Sequence, residues 1–317
     1  MMMPNFKKHY ERVFRSLSRV ELQRGMRGLD DLDLGSLFDD DTDLWLGFYT
    51  EEGVELALER YGVLDDIRRR GFKKLELELR MDDPDEHMLR IWSKFPRFEE
   101  PLLELVASRD VLHFDTDLGV QIGQEYAPVL TVQWLLMQNP KETFDANRLP
   151  LPGQNHPGLG VGEQVMEILR NICRRLNLGG LVTIPAHFHN AVMYGVTFNY
   201  INPDAEATFR AIERDLLAQL DASLPLASWA VDWRMLVDRN GEKLEPFKWF
   251  HEAMVCPIDE PFTSYFESDE YAKAVESKKD AHAFEVFKDA LFRNMSGRGL
   301  KPFDRAKVDA WLDEMYQ

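Results

Sequence analysis

Apolar residues in the first part of the chain recur at helical spacing. Phe6, Tyr10, Val13, Phe14 and Leu17 share one face of residues 5–24 and predict an amphipathic helix. WLGFY at 45–49 predicts a short aromatic strand. Thr50 before Glu51 and Glu52 then reads as a helix cap with acids in the first turn. Val54, Leu58, Tyr61, Leu64 and Ile67 carry that helix to about Arg70, where Gly71 closes it. KKLELELRM and HMLRIWSKF alternate strictly across the turn DDPDE, which predicts a hairpin with Leu75, Leu77 and Leu79 facing inward. EEPLLELVASR predicts a helix and DVLHFDTDLG a loop. VLTVQWLLMQ at 129–138 is continuously apolar and predicts a strand buried on both faces.

A Pro- and Asn-rich connection fills 139–157, of the length that serves as a lid or binding loop. Residues 157–200 then predict a glycine turn, an amphipathic helix, a short apolar strand, a polar corner and a second helix. NPDAEATFRAIERDLLAQL predicts a capped helix, and SWAVDWRMLV with FKWFHEAMVC predicts a hairpin around Asn240-Gly241. YAKAVESKK, AFEVFKDALF and DRAKVDAWLDEMY predict a helical C-terminal extension. The pattern divides the chain into an N-terminal helix with an acidic linker (1–40), a core (41–260) and that extension (261–317).

Charge changes the picture more than composition does. With 55 acidic and 38 basic residues the net charge is −17, which disfavours nucleic acid and anionic membrane as partners. A polyanionic cofactor would need a local positive site. No apolar run reaches bilayer length, and the N-terminus lacks a secretory h-region. Cys173 and Cys256 cannot staple 317 residues, so a reducing, cytoplasmic setting is expected. The oligomeric state is not encoded in any recognisable pattern.

Gly158, Gly160 and Gly162 sit at alternate positions directly before a helix, where uncovered backbone N–H groups make an anion site. The order of elements, and Gly160-Val161-Gly162 with Val165 and Leu169 behind it, resembles the GNAT-type N-acetyltransferase superfamily. The resemblance implies an α/β fold with a mixed central sheet and, here, N- and C-terminal helical additions. It also implies acetyl-CoA or another acyl-CoA, its pyrophosphate on the backbone of Gly158, Leu159, Gly160, Val161 and Gly162, and an amine acceptor, small molecule or protein. LVTIP resembles the superfamily's next strand, and Tyr194 the tyrosine that protonates the departing thiolate. The sequence departs from the pattern where Pro157 takes the place of an Arg or Gln and His187 that of an Asn.

Acyl transfer also needs a base and donors for the carbonyl oxygen. The donor would be a backbone N–H of the strand 129–138, where Gln133 is the one central polar side chain. Glu125, Asp115 and Asp117 are the nearest acids in sequence, and His187 is a second candidate base. The alternatives are a non-catalytic binding protein on the same fold, acting through the 139–157 loop, and a metal-dependent hydrolase. The latter would use His187 and His189, with His156 and Asp115 nearby, because alternate residues at a strand end project to one side. No HExxH accompanies them, and no metal is expected. GxGxG without the final spacing argues against a dinucleotide fold, and a GxSxG elbow is missing.

Overall fold

The structure is a computed structural model that describes residues 4–23, 44–83, 85–145, 148–241 and 244–296. The acidic linker and the last predicted helix, DRAKVDAWLDEMY, lie outside the described residues. The protein is a mixture of helices with mostly antiparallel strands, and the chain divides into two compact units. The first comprises 1–141, 158–182 and 257–262; the second comprises 142–157, 183–256 and 263–317.

In the first unit α1 (Pro4–Ser16) and α2 (Arg19–Leu22) replace the single predicted helix. Ser18 breaks it, because Ser18 and Glu21 form a reciprocal capping box that starts a new helix. Residues 45–49 are a turn, not a strand: Leu46 and Gly47 both have positive φ, and Trp45 bridges Tyr49. Thr50 caps α3 (Glu51–Arg60) by accepting from the Gly53 N–H, and α4 (Val63–Arg69) follows. β1 (Lys74–Arg80) and β2 (His87–Phe95) form the predicted hairpin, although Leu75, Leu77 and Leu79 are only half-buried.

Most of the predicted helix at 99–109 is instead β3 (Leu103–His113), which reaches into the predicted loop. Leu103, Leu105 and Ala107 alternate with Glu104, Val106 and Ser108, and that period of two decides the matter. Asp115 caps the short α5 (Thr116–Ile122) before β4 (Tyr126–Met137). β1, β2, β3 and β4 pair antiparallel in that order. α6 (Gly162–Arg175) leads to β5 (Gly180–Thr183), which lies next to β4 in the sheet order.

β4 is not buried on both faces. Its register slips where Val106 faces Trp134 but Ala107 faces Val132, leaving Gln133 as the extra residue of a bulge. Gln133 and Trp134 are consequently both exposed, while Ala127, Val129, Leu130 and Val132 are buried.

The second unit holds α7 (Phe188–Tyr194), β6 (Asn199–Tyr200), α8 (Pro203–Gln219), α9 (Leu224–Asp232), β7 (Leu236–Asp238) and β8 (Met254–Pro257, its proline belonging to the first unit). α10 (Glu260–Phe266), α11 (Asp269–Lys279), β9 (Phe284–Val286) and α12 (Lys288–Ser296) complete the chain order. The predicted hairpin around Asn240 does not form. Half of its first arm, 228–232, lies in α9, which is capped by Ser223 with a proline in the first turn, and β7 pairs with β9 while β8 pairs with β6. Part of AFEVFKDALF is strand rather than helix, with Phe284 and Val286 buried either side of exposed Glu285. Among the described residues no helix is long and apolar enough to cross a membrane.

Gly53 shows how closely the first unit is packed. A Cβ there would sit 2.0 Å from the Leu22 carbonyl oxygen, a backbone atom that cannot swing aside. Gly53→Ala is expected to destabilise the protein by about 1–3 kcal/mol, the usual scale of overpacking. Glu55→Ala, on the solvent side of the same helix, should stay within about 0.5 kcal/mol. Urea unfolding of the two variants checks the contrast.

Candidate functional site

The glycine turn is an extended segment pinned to the end of β4. The Leu159 N–H donates to the Met137 carbonyl at 3.2 Å, and Gln138 bridges Gly158. Leu159 and Val161 are fully buried, while Gly158 and Gly160 face outward. The alternation therefore puts the side chains into the core and leaves bare backbone on the open side, just before the N-terminus of α6. Only Gly160 is demanded by the backbone, with φ +72°. A Cβ on Gly158 would meet nothing nearer than 3.9 Å, and one on Gly162 nothing nearer than 3.5 Å. Packing within the protein does not account for those two glycines, whereas close approach of a ligand to the backbone would.

A cation that the sequence pattern did not single out lies against this turn. Arg70, just past α4, donates through Nη2 to the Gly160 carbonyl at 3.1 Å and through Nη1 to the Asp66 carbonyl at 3.0 Å. Lys141 donates to the Arg70 carbonyl at 2.9 Å and lies over the Phe72 ring. Both spend their donors on neutral acceptors, so among the described residues neither charge is paired with a carboxylate. The neighbouring Asp66 is held by Arg69 and accepts from Gln164 of α6. Glu163, exposed in the first turn of α6, is the opposing charge. The sequence offered one signal for Arg70, the run Arg68-Arg69-Arg70 at a helix end, but it did not show which of the three would turn toward the glycines.

The predicted acids are not gathered there. Glu125 is exposed at the opposite end of β4 from Met137, about 40 Å along an extended strand at roughly 3.3 Å per residue. Asp115 caps α5 by accepting from the Leu118 N–H at 2.9 Å, and Asp117 lies in that helix's first turn.

The histidines and Tyr194 belong to the second unit. His187 precedes α7, and its Nδ1 lies 3.3 Å from Oδ1 of Asp232, the last residue of α9. A proton on Nδ1, held toward this carboxylate, leaves Nε2 as the basic nitrogen. Gly153, at φ +79°, brings the 139–157 loop against that nitrogen: a Cβ on it would lie 3.2 Å from Nε2. The loop is anchored by the Trp229 indole N–H, which donates to the Pro150 carbonyl at 2.8 Å. Asp232 was not read as functional from the sequence, since an acid ending an amphipathic segment looks like an ordinary solvent-facing group. His156 lies in the same loop, in the half-buried class.

His187 and His189 stack with centroids 5.3 Å apart and planes 12° from parallel. Rings stacked this way aim their nitrogens along parallel planes rather than at one point, which does not suit a shared metal. Among the described residues no three His, Cys, Asp or Glu side chains are grouped to hold a metal ion. His189 is buried, its Nδ1 has no hydrogen-bond partner among the described residues, and burial chiefly, with the nearby His187, holds its pKa down to about 4. Tyr194 closes α7 half-buried, ring to ring with Phe198, and burial pushes its pKa up, so its phenol keeps its proton.

No protein-family model matches the chain, and no curated protein matches it. Solved structures similar to it include AtaT complexed with acetyl-methionyl-tRNAfMet, 12% identical over 39% of this chain and 86% of that one, at a TM-score of 0.26. A mutant of KacT is 16% identical over 50% of this chain and 79% of that one, at 0.24. Malonyl-CoA decarboxylase from Rhodopseudomonas palustris is 12% identical over 84% of this chain and 65% of that one, at 0.22. Likenesses this slight leave function to be argued from the chain's own residues.

His189 gives a pH prediction with a definite sign. Its folded pKa lies below the unfolded value of about 6.5, so the unfolded chain binds the proton first as pH falls. The stability is present above about pH 6.5 and is lost as pH drops toward 4, by about 3 kcal/mol in all. Urea unfolding at pH 7 and pH 4.5 should show that loss, and His189→Asn should flatten it.

Proposed function

We propose that the chain is an N-acyltransferase of GNAT-like type, and that the backbone of Gly158–Gly162 carries the pyrophosphate of an acyl-CoA. The observation that carries this is Arg70 on the Gly160 carbonyl, at the N-terminus of α6. In a chain of net charge −17 a cation without a carboxylate partner, laid against bare backbone at a helix start, is the local positive site that an anion needs. Pro157 offers no N–H at the position where the superfamily has an Arg or Gln, and Arg70 supplies the missing cation from another element. Bound acyl-CoA would supply the activated thioester. The exposed bulge at Gln133 on β4 supports a backbone donor for the thioester carbonyl, because a bulge residue drops out of the ladder pairing.

Tyr194 is the proposed acid, on the ground that burial keeps its phenol protonated. His187 is the proposed base, oriented by Asp232. The acceptor is an amine, as a small molecule or on a protein. The net negative charge favours a cationic one by attraction at a distance.

Isothermal titration with CoA and acetyl-CoA tests the cofactor. Arg70→Gln should weaken both roughly tenfold to a hundredfold, the scale of one hydrogen bond to a charged group. A wild-type protein that binds neither at millimolar concentration removes the proposal. Thiol release from acetyl-CoA across a panel of amines tests the chemistry. Tyr194→Phe should lower kcat by roughly a hundredfold or more with KM for acetyl-CoA little changed.

A further inference from the structure

The first unit contains a second feature, which the acyltransferase reading does not use. Between its helices and sheet lies a cavity of about 40 Å³, walled by apolar side chains that include Leu58 of α3, Leu105 of β3 and Leu169 of α6. One water fills roughly 10–15 Å³ by a comparable measure, so the space exceeds a single water, and walls this apolar do not favour a water cluster. Two polar groups on its lining are out of keeping with a plain core. Trp45 is 2% exposed, and its indole N–H has no hydrogen-bond partner among the described residues. Arg175, the last residue of α6, is half-buried; it donates to the Phe14 carbonyl at 2.8 Å and stacks on the Phe14 ring, and among the described residues it has no carboxylate partner.

An orphaned buried donor costs about 1–3 kcal/mol, and a half-buried guanidinium without a counter-ion adds to that. Both would be relieved by one ligand chemistry, an anionic acceptor attached to a small apolar body. Tyr49, on the same lining, has a phenol kept protonated by burial and could add a third donor. We propose that this cavity binds a short aliphatic carboxylate, its alkyl part against the leucines and its carboxylate facing Arg175 and the Trp45 indole N–H. At about 40 Å³, roughly three to four waters by that measure, the cavity matches a carboxylate of acetate or propionate size, and its apolar walls suit the alkyl part. The inference is independent of whether CoA binds at the glycine turn.

The test is titration of the full chain with sodium acetate and sodium propionate, and with ethanol and 1-propanol as uncharged counterparts. Binding is read from the indole N–H resonances, that of Trp45 being identified by its loss in Trp45→Phe. The carboxylates should move the Trp45 signal and bind more tightly than the alcohols. Arg175→Gln should weaken propionate about tenfold or more while altering 1-propanol little, and Arg175→Lys should restore much of the preference. Ala57→Leu, which fills the cavity from α3, should remove binding of both; far-UV circular dichroism and melting identify any variant that has not folded. The proposal is overturned if wild-type protein shows no shift of the Trp45 signal, if alcohols bind as well as carboxylates, or if folded Arg175→Gln binds propionate undiminished.

Discussion

The bond from the Leu159 N–H to the Met137 carbonyl is the constraint on which the candidate cofactor site depends. It ties an extended strip of chain to the end of β4, and the strip's alternation does the rest. Leu159 and Val161 are drawn into the core, so the glycines between them must face out, and α6 must begin where the strip ends. Hydrophobic burial of two side chains thereby exposes backbone at a helix N-terminus. Arg70 completes the arrangement by bonding the carbonyl of Gly160, a residue whose positive φ turns that carbonyl off the line of the strip. The proposed anion binding rests on these placements of backbone and of one cation.

The electrostatics of the chain give that placement its weight. A protein carrying −17 repels polyanions at a distance, and many arginines among the described residues are matched to acids, as Arg68 is to Glu59 and Arg210 to Glu206. Arg70 and Lys141 differ in bonding only to backbone carbonyls and a ring. A cation satisfied in geometry but not in charge can still attract an anion. The second unit holds the contrasting case, an imidazole whose partner is a carboxylate. Asp232 fixes which nitrogen of His187 is basic, while His189 behind it is buried neutral.

Much of this was legible in the residues, for identifiable reasons. The β1–β2 hairpin shows strict alternation, α3 an apolar stripe behind a Thr50 cap, and α6 an apolar stripe alone, and these periods are local properties of the chain. The glycine turn was visible as a spacing. What was hidden depends on long-range packing. β3 looked helical because Glu99, Glu100 and Pro101 resemble a helix start, although the leucines after them alternate. α9 looked like a strand because Trp229, Val231 and Trp233 alternate, and its capping Ser223 and nearby proline were the overlooked signal. The bulge at Gln133 leaves no mark in a uniformly apolar run. Arg70 and Asp232 became visible as site residues only once the fold set them against Gly160 and His187, across 90 and 45 positions of sequence respectively.

The central claim is that the bare backbone of the glycine turn, with Arg70 beside it, receives the anionic part of CoA. Amide resonances report on that backbone directly. In a titration of isotope-labelled protein with CoA, the N–H signals of Gly158, Gly160, Val161 and Gly162 and the Nε–H of Arg70 should shift together and saturate at one dissociation constant. Saturable binding of CoA that leaves those five signals in place would contradict the account, as would their failure to move at any CoA concentration.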